Sequence, residues 1–245
     1  MPRGRCHFAL LYEFHEGLRR EKPEVAELAD EHLPEFLAGS TAPDGIRYVG
    51  RMGKRATHFY VEDEQDTWGK AVKGMFRAHP DLADPEALSD SDLAMVLGYI
   101  SHLTVDEAFR DVITTHVHGT EDWRPIIHGL WSLVDELPVG YGKVVEETDQ
   151  FVRTDSIGFI DCRMVREYLT LVRPWNSEKD PWALEKVFLK LVNSDLPLEV
   201  AKQKWLKNRE RAAPFLDASR RSEFVSKSVE LAIRESHHFL SGRYT

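Results

Sequence analysis

Cysteine is scarce in this chain. Cys6 and Cys162 are the only two in 245 residues and stand far apart, which excludes a thiolate metal pair of the Cys-x-x-Cys kind and a disulfide framework. Long hydrophobic runs are also missing. The longest, Leu93 to Ile100, is interrupted by Gly98 and falls well short of the roughly 18 to 20 apolar residues that cross a bilayer. Positive charge is in deficit: 32 Lys and Arg against 41 Asp and Glu leave a formal charge of −9, which disfavours nucleic-acid binding through a basic patch. The first residues have Arg3 and Arg5 but meet Glu13, His15 and Glu16 before any long apolar stretch or small-residue cleavage site. The expectation is a chain without a secretion signal, working in the reducing cytoplasm.

What is present is a core. Hydrophobic residues make up 42% and aromatics 10%, with six Trp, too apolar for a disordered chain. The length suits a single domain, 1–245. Helical spacing dominates and no repeated alternating runs occur, so the expected fold class is all-α. A first helix is expected around Phe8 to Leu18, ended by Pro23. A second runs from Val25 to Gly39 with a kink at Pro34. The Gly-, Ser-, Thr- and Pro-rich stretch from Ala38 to His58 reads as an ordered loop. Helices follow at Asp66 to Arg77, from Ser89 past Asp106, and at Pro125–Leu137, Lys143–Arg153, Arg163–Val172, Trp182–Val192, Leu198–Arg211 and Ser222–Leu240. Pro174 to Pro181 reads as a long connection. Ser89 and Asp92 have the spacing of a capping box.

The segment Gly98-Tyr-Ile-Ser-His102-Leu-Thr-Val-Asp106 carries the first chemical signal. Four residues on a helix advance about 400° and about 6 Å, so His102 and Asp106 share a face one turn apart and can grip one ion. Taken alone, the pair fits equally a half-buried histidine beside a solvated Asp106 and Glu107. The second signal is Phe36-Leu-Ala-Gly-Ser-Thr-Ala-Pro-Asp44, followed after thirteen residues by His58. A carboxylate and an imidazole are donors that zinc accepts; a turn residue after Pro43 and a packed histidine beside Phe59 account for them as well.

These elements in this order, with His7 near the N-terminus, resemble the bacterial zinc-dependent phospholipases C, which share a helical fold with the zinc-dependent single-strand nucleases. The resemblance spans about the first 135 residues; the remaining helices, 136–245, are expected to complete core and pocket. It implies that Asp44, His58, His102 and Asp106 ligate one zinc, and that His7 and Asp106 hold another with Asp106 bridging. The family's remaining site departs from its pattern here. Arg110 and Asp111 stand where a histidine is expected, His116 and His118 come later, and His128 is followed four residues on by Ser132 instead of Glu. Asp135, on the same helical face as His128, is a candidate replacement; His116, His118 and Asp135 are equally compatible with a solvated surface.

The resemblance implies metal-assisted hydrolysis of a phosphate ester, with one to three Zn²⁺ ions and Asp44 orienting or deprotonating the attacking water. The substrate is expected to be a soluble phosphoester or a phospholipid. Arg47, Arg51, Lys54 and Arg55 are candidates to meet a phosphate, or a solvated surface. Two other classes stay open: a metalloenzyme of different chemistry on the same scaffold, with iron or manganese and a small metabolite, and a binding protein whose metal is structural. His15, His32, His79, His237 and His238 are expected to face solvent, and Cys6 to be a buried or incidental thiol.

Overall fold

A computed structural model describes residues 2–60, 64–121, 123–137, 141–177 and 180–245. The chain is all-α and forms one domain. Its helices are α1 (Gly4–Glu21), α2 (Pro23–Glu31), α3 (Leu33–Gly39), α4 (Ala42–Tyr48), α5 (Lys54–His58), α6 (Ala71–Ala78), α7 (Asp90–Val112), α8 (Trp123–Val134), α9 (Tyr141–Asp149), α10 (Cys162–Ser177), α11 (Pro181–Leu191), α12 (Leu198–Ala212) and α13 (Ala218–Leu240). A single two-residue antiparallel pair, Ser156–Ile157 with Ile160–Asp161, is the only sheet among the described residues. No helix among them is long and apolar enough to cross a membrane.

The central element is α7, buried almost continuously from Ala94 to Val112 and packed most extensively on α3 and α13, with α1 and α6 also against it. Its start is set locally: Ser89 Oγ accepts the Asp92 N–H at 3.3 Å, and Asp90 and Asp92 face the positive end of the helix dipole. The Asp92 carboxylate turns outward to Arg153 Nη1 at 2.6 Å. Upstream, Tyr99, Ile100 and Leu103 join Phe8, Phe14, Phe36 and Phe76 in one apolar cluster. Downstream, Val105, Ala108 and Phe109 join Cys6, Leu10, Ile127 and Phe224 in a second. Each large aliphatic or aromatic side chain so buried contributes about 1.5–3 kcal/mol. His7 on α1 and His102 and Asp106 on α7 lie on helices that serve both clusters.

Several boundaries differ from expectation. The helix anticipated across Val25–Gly39 is broken at His32 instead of kinked, because Pro34 in the first turn of α3 lacks the N–H that a continuous helix needs. The Ala38–His58 stretch, read as a loop, holds the whole of α4 and α5. Its prolines and small polar residues start and stop short helices: Pro43 lies in the first turn of α4, where its missing donor costs nothing, and Ser40 and Thr41 hydroxyls donate to Leu37 and Ala38 carbonyls. The helix expected from Asp66 begins only at Ala71, because Gly69 turns the chain at a φ of +67°. Helix α10 continues through Pro174 to Ser177, so much of the expected long connection is helical. A proline this close to a C-terminus disturbs only the last turns.

The later helices pack onto the earlier ones: α10 on α4, α12 on α8 and α13 on α7 and α1. His15, expected in solvent, is buried, with Nε2 3.1 Å from the Ala26 carbonyl, and it ties α1 to α2. His79, expected likewise, is half-buried and stacks on Phe159 at 3.9 Å. His32, His237 and His238 are half-buried. Both cysteines are buried and free.

Candidate metal centre

Five side chains from four helices converge. His7 comes from α1, Asp44 from α4, His58 from the end of α5, and His102 and Asp106 from successive turns of α7. All five are buried. Two overlapping groups, His7, Asp44 and His102, and His58, His102 and Asp106, each bring ligand atoms within 4.8 Å of one another, close enough to hold a metal ion.

The chain forces the helices together by removing side chains. Gly39 of α3 and Gly98 of α7 face each other, and a Cβ on Gly98 would lie 2.2 Å from the Phe36 carbonyl oxygen, while one on Gly39 would lie 2.1 Å from that of Met95. That approach brings the Ser40 carbonyl to 2.8 Å from His102 Nδ1. A carbonyl only accepts, so His102 must carry its proton on Nδ1, leaving a lone pair on Nε2. His58 is anchored through the same ring atom. Thr57 Oγ1 lies 2.8 Å from its Nδ1 and 3.5 Å from the Gly53 carbonyl, and ligation of an ion through Nε2 takes the tautomer in which the ring donates to this hydroxyl. Thr57 is itself fixed from behind, since its own carbonyl accepts the Tyr99 hydroxyl at 2.5 Å.

His58 Nε2 and His102 Nε2 face each other at 3.2 Å. With both rings protonated on Nδ1, their two lone pairs would repel unless a cation lay between them. Ligand atoms about 2.0–2.1 Å from a tetrahedral ion are about 3.3 Å from one another, so the spacing is that of two ligands on one metal. Carboxylates complete the ring: Asp44 Oδ1 is 3.5 Å and Asp106 Oδ2 3.8 Å from His58 Nε2. The other Asp106 oxygen is 3.8 Å from His7 Nε2, so this carboxylate reaches both ways. The His7 ring lies flat against that of His102, with centroids 3.7 Å apart and planes within 5°.

Electrostatics tell the same story. Asp44 Oδ1, both Asp106 oxygens and both His7 nitrogens are buried and have no hydrogen-bond partner. Buried charges without partners are costly, and a cation at their focus satisfies all of them together. Burial holds the His58 ring well below the usual histidine range, with Asp106 only partly offsetting it, and burial with the neighbouring His102 does the same for His7. Neutral imidazoles are the metal-binding form. The Cys6 thiol is pushed up by burial and by Asp135 and Asp106, which makes it a packing residue.

The centre opens to solvent on one side. A cleft of about 290 Å³ has Asp44 in its wall, with Pro2, Arg3, Arg47, Tyr48, Lys54, His128, Trp131, Phe188 and Val192 around it. His128 is thus near the centre without joining either group of ligands; it packs against Trp131, and burial, with the charge of Arg3, pushes its pKa down to about 4. His116 and His118 are exposed, and His118 stacks on Trp123. Asp135 is buried beside Arg3, at 3.9 Å, with its pKa raised to about 7 by burial. Arg110, one turn after Asp106, is buried and donates to Asp111. Of the loop cations, Arg47 and Lys54 reach the cleft, whereas Arg51 and Arg55 are exposed and Arg55 pairs with Glu64.

Sequence reasoning missed the supports. Ser40 acts through its carbonyl, which any residue supplies, and Thr57 is distinguished only by standing next to His58. Arg3, Tyr48 and Phe188 were invisible as cleft residues because their roles arise from packing of α1, α4 and α11. Comparison with protein-family models, with curated proteins and with solved structures gives no match.

Proposed function

We propose that this chain is a metal-dependent hydrolase of a phosphate ester, with zinc as its ion. The observation that carries the metal is the pair of Nε2 atoms at 3.2 Å, each ring anchored through Nδ1, with Asp44 Oδ1 and both Asp106 oxygens buried around them without hydrogen-bond partners. The mixed nitrogen and oxygen donors suit zinc, and iron and manganese accept the same set. The order of the motifs, which resembles that of the zinc-dependent phospholipases C, favours phosphoester chemistry. A divalent ion held there supplies charge stabilisation to phosphoryl oxygens and acidifies water.

The protein's own residues do the rest. His58 and His102 present Nε2 to the ion, and the Ser40 carbonyl and the Thr57 hydroxyl hold the rings in place at Nδ1, which orients the ligands. His102 is common to the two ligand groups, and Asp106 reaches His58 with one oxygen and His7 with the other. Asp44, the ligand that also lines the cleft, orients an incoming water and accepts its proton. Opening of the cleft at Asp44 favours a catalytic site over a closed structural one.

The test is metal identity and stoichiometry by elemental mass spectrometry on untagged protein, with hydrolysis of 4-nitrophenyl phosphate measured alongside. His102→Ala and Asp44→Ala should each lose most of the bound metal and the activity, and His237→Ala should lose neither. Equal metal in all three variants refutes the centre. Full metal in the wild type with no turnover of any phosphoester leaves a structural ion.

A further inference from the structure

The cleft above the centre carries a charge opposite to that of the chain. The protein has a net charge of −9, yet Arg3, Arg47 and Lys54 line this opening, and its one carboxylate, Asp44, belongs to the ligand set. Each cation is held in place. The Arg3 guanidinium lies 4.1 Å over the Phe188 ring and pairs with Glu185 at 2.7 Å. Lys54 donates to the Tyr60 hydroxyl at 2.6 Å, and Arg47 lies 5.2 Å over the Tyr48 ring. Cations pre-positioned in a partly dry cleft focus an anion without reorganising.

Two further observations point to a ligand. Arg3 Nε and Trp131 Nε1, both on residues lining the cleft, are buried donors with no acceptor in the protein. Both call for oxygen acceptors. The remaining wall is flat and apolar, made by Tyr48, Trp131 and Phe188. The volume, about 290 Å³, lies at the small end of ligand cavities, which run from about 300 to 1,000 Å³.

We propose that the cleft selects a compact phosphate monoester dianion with a planar, apolar leaving group, and rejects the cationic headgroup of choline-type phospholipids. This rests on the phosphoesterase reading and narrows its substrate class. The second negative charge that separates a monoester from a diester is met by Arg47 and Lys54. The leaving group lies between the aromatic walls, and a quaternary ammonium meets the like charges of Arg47 and Lys54.

Zinc-loaded protein is titrated with 4-nitrophenyl phosphate, bis(4-nitrophenyl) phosphate and 4-nitrophenyl phosphorylcholine, following turnover and, separately, binding by tryptophan fluorescence. The monoester should exceed the choline ester at least ten-fold in kcat/KM. The double variant Arg47→Gln, Lys54→Gln should raise KM and Kd for the monoester five-fold or more while keeping its metal, and should not weaken the choline ester. A choline ester used as well as the monoester overturns the selectivity while leaving the hydrolase intact, as does an unchanged monoester Kd in the double variant. If no ester turns over with metal bound, the hydrolase reading fails and the binding constants decide alone: tighter monoester binding, lost in the double variant, keeps the inference, and its absence ends it.

Discussion

Replacing Gly98 with alanine perturbs the centre without touching a ligand. The new methyl would lie 2.2 Å from the Phe36 carbonyl oxygen, 2.9 Å from the Ser40 nitrogen and 3.0 Å from Gly39 Cα, all of them backbone atoms that cannot rotate away. Ordinary contact starts near ~3.4 Å, so α3 and α7 must part by about 1 Å, and overpacking of this kind costs about 1–3 kcal/mol. Alanine recovers about 1 kcal/mol of helix propensity, leaving a net loss of up to about 2 kcal/mol. The same displacement carries the Ser40 carbonyl from 2.8 Å to beyond hydrogen-bonding range of His102 Nδ1. Loss of such an outer partner weakens metal binding about 10- to 100-fold. Urea unfolding gives the first quantity and competition with a chromophoric chelator the second. Gly129→Ala is the control, because its methyl would meet the Asn208 carbonyl at 2.2 Å, in the α8–α12 contact. It should destabilise comparably and leave metal affinity unchanged. A Gly98→Ala protein that loses stability but binds metal with wild-type affinity refutes the coupling of helix spacing to the centre. Stability raised by the full helix-propensity gain of about 1 kcal/mol refutes the tightness of the contact itself.

Two further perturbations follow from the same structure. Thr57→Val keeps the side-chain volume and removes the hydroxyl that anchors His58 Nδ1, so metal affinity should fall about 10-fold or more with little change in fold content by circular dichroism; an unaltered dissociation constant shows that the ring is positioned by other contacts. Asp135 titrates at about 7 in the folded protein because burial outweighs the pull of Arg3 and Arg5, against 3.8 for the free group. Folding therefore takes up a proton, and the stability this group contributes is fully present below pH ~4 and is lost as pH rises through about 7, at up to about 1.4 kcal/mol per unit. Asp135→Asn abolishes that dependence, so its stability relative to wild type should improve by a few kcal/mol between pH 4 and pH 8 in urea unfolding; a constant difference across that range sinks the argument.

What the sequence revealed and what it hid follow from the range of the interactions. His102 and Asp106 were readable because a helix repeats within four residues. Asp44 and His58 lie on separate short helices, and only the resemblance joined them to the first pair. The stretch between them was misread because glycine, serine and proline signal breaks, and a break also marks where a short helix begins. His15 was misplaced for a different reason. Its neighbours Glu13 and Glu16 are charged, yet the helix turns its ring inward to the Ala26 carbonyl, a contact that exists only once α2 folds back on α1.

The position of the centre couples it to the fold as a whole. Tyr99, Ile100 and Leu103 of α7 pack into one apolar cluster and Val105, Ala108 and Phe109 into the other, so His102 and Asp106 occupy the turns that serve both. His7 has the same place on α1, between Cys6 in one cluster and Phe8 in the other. Polar groups at such a junction have no water to fall back on, and Asp44 Oδ1 and both Asp106 oxygens find no hydrogen-bond donor among the described residues. Without a cation these groups oppose the packing that surrounds them; with one they join α1, α4, α5 and α7 at a single point. An ion bound at this centre would therefore contribute folding free energy, and α10 and α13, which pack on α1, α4 and α7, hold the candidate ligands in register from outside.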